Sequence, residues 1–134
     1  MLINRRAPSN HAPQDWFTGD VWYEELIVAP DGGSLRMLSV HFAPGARSWW
    51  HTHPVEQVIH VTQGTCLVQR EGDAVQVVRP GESVWFAPHV AHWHGAAPGT
   101  HMTHLAAQQA GDDGTTVEWL RPVTDAEYGA APAA

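Results

Sequence analysis

Ten histidines stand in this chain of 134 residues, and eight of them (His51, His53, His60, His89, His92, His94, His101 and His104) fall within 54 residues. Imidazole is the commonest metal ligand, and it is the side chain best suited to moving protons near neutral pH. A cluster of this kind points to a metal site, to proton transfer, or to both. The densest run is Gly45-Ala-Arg-Ser-Trp-Trp-His51-Thr-His53-Pro-Val-Glu-Gln57, which continues to Gly64. Residues two apart on a strand project from one face, so His51 and His53 present both imidazoles together. Pro54 cannot donate to a ladder and marks a kink or strand edge. A second run from Gly81 ends in His92-Trp-His94 and supplies a further imidazole from another strand. Two imidazoles from one strand and one from a second could converge on a divalent ion. His94 shares a face with His92, as an alternative ligand or a hydrogen-bond donor lining the pocket. Glu56 is the nearest carboxylate, but it is one residue out of register with Gln57 and should face away. Cys66 is expected as a buried, inert thiol. His89 and His101 sit beside turn residues and are expected in solvent.

The elements that must position these groups are short. Glycine and proline punctuate the chain from Pro30 to Gly114, and the segments between are rich in Val, Trp, Phe and Thr. That rhythm predicts an all-β sandwich or barrel. In 34–42, Leu38, Val40 and Phe42 share one face, against Met37, Ser39 and His41. In 57–63, Gln57, Ile59 and Val61 oppose Val58 and His60. In 82–88, Val84 and Phe86 oppose Ser83 and Trp85. The stretch 101–108 contains alanines that would suit a helix, yet its neighbours argue for a strand. Thr124-Asp125-Ala126-Glu127 reads as a capping box opening one short C-terminal helix. Residues 1–14 and the tail 129–134 are expected to be loosely ordered, around one domain over 15–128.

Composition narrows the functions. A hydrophobic fraction of 43% against 16% charged is the balance of a globular protein. The formal net charge of -7 disfavours nucleic acid as a partner, and no basic run suits an anionic membrane. No apolar stretch approaches the ~18 residues that span a bilayer. No apolar run follows Arg5 and Arg6, so no secretory signal is expected. The lone cysteine fits a reducing compartment, and a cytoplasmic location is expected.

The spacing G-x5-H-x-H-x3-Q-x6-G from Gly45 to Gly64 resembles the first motif of the cupins, with Gln57 where most cupins carry glutamate. Gly81 to His92 resembles the second, with Pro88 shifted by one residue and Ala96 where many cupins have asparagine. Within cupins the chain is most similar to the small bacterial manganese-dependent hydroxynitrile lyases. The matching stretches are Asp15 to Gly19, Gly45 to Arg47, His51 to Pro54 with Gln57, Gln69 to Gly72, His92 to Pro98, Met102 to Ala106, and Val123 to Asp125. The resemblance implies a small β-barrel or jelly roll. It implies one divalent metal per chain, held by His51, His53, Gln57 and His92. It makes His104 the candidate base, Gln108 a polar pocket residue, and Leu38 and Val40 pocket-lining positions. Leu38 is a departure, since the lyases tend to be smaller there; His41, Glu56 and His60 lack family counterparts.

The chemistry of the residues agrees. Three neutral imidazoles and an amide oxygen would leave an ion its full +2 charge, making it a strong Lewis acid toward a bound hydroxyl. The mixed N/O set suits Mn, Fe, Co, Ni or Zn, and the resemblance favours Mn. The expected activity is lysis of a small hydroxylated molecule, with cyanohydrin cleavage as the assay. The alternatives are an iron- or nickel-dependent dioxygenase, a cyclase or isomerase, and a non-catalytic small-molecule-binding cupin. Trp50, Trp85, Trp93, Met37 and Val58 fall on the face opposite the expected ligands, so a homodimer through apolar barrel faces is expected.

Overall fold

The computed structural model describes residues 1–130. The last part of the expected tail, residues 131–134, lies outside the described residues. The described residues form thirteen strands and one helix. The strands are β1 (Ser9–His11), β2 (Phe17–Thr18), β3 (Val21–Val28), β4 (Leu35–Phe42), β5 (Arg47–Ser48), β6 (Trp50–Thr52) and β7 (Gln57–Gly64). They continue with β8 (Cys66–Arg70), β9 (Gln76–Val78), β10 (Ser83–Phe86), β11 (His92–Ala96), β12 (Met102–Gln109) and β13 (Glu118–Arg121), before α1 (Asp125–Tyr128).

Two sheets result. One has the order β1-β3-β4-β12-β7-β10. The other has the order β13-β6-β11-β5-β2, and β8 pairs with both β11 and β9. All pairings are antiparallel. The architecture is the all-β barrel expected from the sequence, with the one short helix at its C-terminal end.

The alternation read from the sequence holds. Val40, Phe42, Ile59, Val61 and Phe86 point into the principal core, while Met37, Val58 and Trp85 face outward and are exposed. Residues 102–108 of that stretch are strand, because β12 sits between β4 and β7 with both edges paired. The expectation of a loose N-terminal segment is corrected. Ser9–His11 pairs with β3, the Asn4 side-chain amide donates to the Leu26 carbonyl at 2.7 Å, and Ala12 is buried. Asn10, Ser9 and His11 carry no apolar alternation, so this edge strand is made by backbone pairing and gives no hydrophobic signal. Two tight approaches set the geometry near the histidines. A Cβ on Gly64 would run into the His101 carbonyl, and one on Gly95 would press on Arg47 and the Ala46 carbonyl, so only glycine fits at either place.

Trp50 and Trp93 are not open to a partner. They are buried with Leu67, Val75 and Val123 in a second apolar cluster, against which Tyr128 of α1 packs. Their outward parity was right, but the chain covers them with its own C-terminal end. The capping box at Thr124 is complete: its hydroxyl accepts from the Glu127 backbone, and the Glu127 carboxylate accepts from the Thr124 backbone. Among the described residues no helix is long and apolar enough to cross a membrane.

Candidate metal centre

His51 stands in the middle of β6, His53 follows one residue past its end, Gln57 opens β7 and His92 opens β11. His53 is therefore not on a strand. Pro54 lies in the short link where the chain leaves one sheet for the other, and that link turns the His53 ring inward beside His51. His92 is the partner of His51 across the β11–β6 ladder. All four side chains are buried, and the ligand nitrogens of the three histidines lie within 4.8 Å of one another.

Their outer ring nitrogens are each tied to the backbone. Nδ1 lies 2.7 Å from the Trp49 carbonyl in His51, 2.7 Å from the Thr116 carbonyl in His53, and 3.0 Å from the Val90 carbonyl in His92. A carbonyl oxygen only accepts, so each Nδ1 carries the proton and each Nε2 turns a lone pair to the centre. The Gln57 amide nitrogen donates to Gln108 Oε1 at 2.9 Å, which aims the Gln57 oxygen at the same centre. His92 Nε2 and Gln57 Oε1 are 3.2 Å apart. With the His92 proton on Nδ1, two lone pairs face each other there. A cation bound by both atoms would make that contact favourable.

Burial opposes an added proton. It pushes His92 down from 6.5 to about 4 and lowers His51 and His53, with the neighbouring imidazoles adding repulsion at His51 and His92. At neutral pH the cluster is an uncharged set of three imidazoles and an amide oxygen. Such a set can take a divalent ion without first shedding protons. His53 Nε2 is buried without a protein partner, which fits a ligand position.

A cavity of about 310 Å³ opens beside these donors. Leu38, Val40, His94, His104 and Gln108 all line it. His104 Nε2 lies 3.0 Å from His94 Nδ1, and both rings are buried. Burial lowers His94 and brings His104 to about 4, so both are neutral at physiological pH. His94 is therefore bonded to His104 and stands outside the three-histidine cluster. Gln108 holds Gln57 rather than either of these two rings. Glu56 faces outward and accepts from the Trp85 indole at 3.2 Å. Cys66 is fully buried and its thiol is pushed up to about 12. His89 and His101 are exposed.

Sequence reasoning missed several lining residues: Tyr23 and Glu25 on β3, Arg36 on β4, and Trp16, Phe17 and Trp119. Arg36 had a usable signal, since it shares the parity of Leu38 and Val40. The aromatic lining had none, because the pairing of β13 with β6 is not written in either segment.

Residues 38–106 match the family model described as a cupin domain. The chain belongs to the cupin family. It is 52% identical over 120 residues to a protein of Granulicella tundricola named (R)-mandelonitrile lyase, covering 90% of this chain and 91% of that one. Among solved structures it resembles a cupin-like protein from Thermotoga maritima, with 36% identity and a TM-score of 0.83 over 88% of this chain and 89% of the other. A DMSP lyase from Ruegeria pomeroyi, 21% identical with a TM-score of 0.64, covers 83% of this chain and 55% of its own, and shares the fold alone.

Proposed function

We propose that this cupin is a metal-dependent lyase acting on a small hydroxylated substrate, with cyanohydrin cleavage and synthesis as its assayable activity and manganese as the resident ion. The observation that carries this reading is the buried His94–His104 pair opening onto the same cavity as the neutral donor set. The relative named as a mandelonitrile lyase supports the choice of substrate. A homodimer and a cytoplasmic location belong to the same proposal.

A divalent ion held by His51, His53, Gln57 and His92 would supply Lewis-acid stabilisation of the charge developing on the substrate hydroxyl oxygen. The chain's own groups do the rest. The His94–His104 pair takes the hydroxyl proton, and a positive charge formed on either ring is shared across their hydrogen bond. An imidazole whose conjugate acid lies near 4 is a weak base toward an ordinary alcohol, so it works only on a hydroxyl that the site has made acidic. As the carbonyl forms, the carbon–carbon bond to cyanide breaks with its electron pair on cyanide. The pair returns the proton, and hydrogen cyanide leaves. Gln108 gives its amide oxygen to Gln57 and keeps its N–H groups for the departing cyanide. Phe17, Val40 and Trp119 line the cavity with apolar surface and keep bulk water from the carbonyl.

Leu38 narrows the cavity beside Ala106, its partner on β12. Manganese-loaded protein should interconvert benzaldehyde plus cyanide with mandelonitrile, and Leu38→Ala should raise that rate. His104→Ala should remove the activity and leave metal content unchanged. If wild type and Leu38→Ala are both no faster than free manganese, the lyase reading fails. Oxygen uptake by iron-loaded protein would then favour a dioxygenase.

A further inference from the structure

The inward row of β4 begins with a charge. Arg36 lies opposite Gln108 on β12, and Gln108 lies opposite Gln57 on β7. These three residues form one row across the sheet, leading from the donor set to the guanidinium. Neighbouring strands are ~4.8 Å apart, so the Arg36 backbone sits only about 10 Å from that of Gln57. Arg36 and Glu25 are the cavity-lining residues that carry full charges. Glu25 Oε1 accepts from Arg36 Nη2 at 3.1 Å. That occupies one of the five N–H donors of the guanidinium. Arg36 Nε is shut away from solvent and has no partner among the protein atoms. A buried, unpaired N–H of a cation is costly, so the protein itself does not fully satisfy this guanidinium.

Charge points the same way. The donor set is neutral, so a bound ion keeps its +2 charge, while Glu25 only offsets Arg36. With a divalent ion bound, the cavity would be positive within a chain of net charge -7. A neutral cyanohydrin leaves that charge uncompensated. A guanidinium that gives only one of its N–H groups to a carboxylate of the protein can still take the two oxygens of another. The Glu25 side chain is about half exposed, at 47%, so it can turn to water when another carboxylate arrives.

We propose that Arg36 is a specificity-determining residue that reads a carboxylate. The substrate class of this pocket is then a short hydroxy or oxo acid. Its hydroxyl or carbonyl oxygen meets the donor set, and its far carboxylate meets the Arg36 guanidinium. This rests on the proposed function only in placing the substrate in this cavity; it does not depend on cyanide chemistry.

The test is calorimetric titration of 4-hydroxybutanoate and of butan-1-ol into manganese-loaded protein. Wild type should bind the acid at least about tenfold more tightly than the alcohol. Arg36→Ala and Arg36→Gln should each reduce the acid to near the alcohol's affinity, with the alcohol unmoved. Glu25→Gln should tighten the acid by removing its competitor. In metal-free protein both ligands should weaken, yet the ratio between wild type and Arg36→Ala for the acid should persist. Equal affinity for acid and alcohol overturns the proposal. So does an acid affinity that survives both Arg36 substitutions, since the carboxylate would then sit on the metal. Cyanohydrin turnover is scored separately. A carboxylate preference that depends on Arg36, without turnover, upholds this inference and contradicts the lyase. Turnover with no such preference does the reverse.

Discussion

Five imidazoles, those of His51, His53, His92, His94 and His104, are buried together, and burial lowers the proton affinity of each. This has a direct effect on stability. In the unfolded chain these groups take protons near 6.5, whereas His92 and His104 take them only near 4 when folded. Between those values the unfolded state binds more protons. Stability is therefore fully present above pH 6.5 and is lost as pH falls from 6.5 toward 4. The full difference for His104 alone is about 3 kcal/mol. Denaturant midpoints of metal-free protein should drop steadily from near-neutral pH to about pH 4.5. A midpoint that stays level across that range would mean that the cluster is not buried and neutral as described. His51, His92 and His94 were legible in the sequence because spacing on short strands fixes the face they share, His53 reaches the centre from the link after β6, and His104 was legible only through the family resemblance. Their partners were not. The Trp49, Thr116 and Val90 carbonyls that set the tautomers come from backbone geometry, and the His94–His104 bond joins strands that are not adjacent.

Single elements show the same division. The alternation in β4, β7 and β10 was readable because one face of each is buried and the other is not. β1, β2 and β5 were not readable, since strands of two or three residues are too short to show a period. The closing helix was readable from its capping box, but its task was hidden. Arg47 on β5 is buried, and its Nη2 donates to the Val123 carbonyl at 3.0 Å and to Asp125 at 2.8 Å. Its guanidinium also lies 4.4 Å from the centre of the Tyr128 ring. One side chain thus fastens the C-terminal segment over Trp50 and Trp93. Asp125 is fully exposed, so most of the effect comes from the buried carbonyl bond and the packing against Tyr128. Arg47→Ala should cost about 2 kcal/mol of stability by leaving the Val123 carbonyl unpaired and the aromatic cluster less covered. It should leave metal content unchanged, because the ligands come from other strands. Loss of metal without loss of stability would contradict this assignment.

The whole molecule is a barrel whose two sheets meet at the donor set and whose outer face on the six-stranded sheet is apolar along one row. Ile27, Met37, Ala107, Val58 and Trp85 are successive cross-strand partners from β3 to β10. Four of them, Ile27, Met37, Val58 and Trp85, are exposed. A face of this kind suits a second copy of the chain, with Trp85 as its largest side chain. Light scattering at micromolar concentration should give the mass of two chains, and Trp85→Glu should return it to one. A wild-type mass of one chain contradicts the dimer. The central claim is the donor set itself, in which His92 Nε2 and Gln57 Oε1 stand 3.2 Å apart beside the other two imidazoles. Elemental analysis of protein purified without chelators tests it most directly. Wild type should hold about one divalent ion per chain, and both His51→Ala and His92→Ala should lose most of it. Two fully loaded variants, or a wild type without bound metal after exposure to manganese, would contradict it.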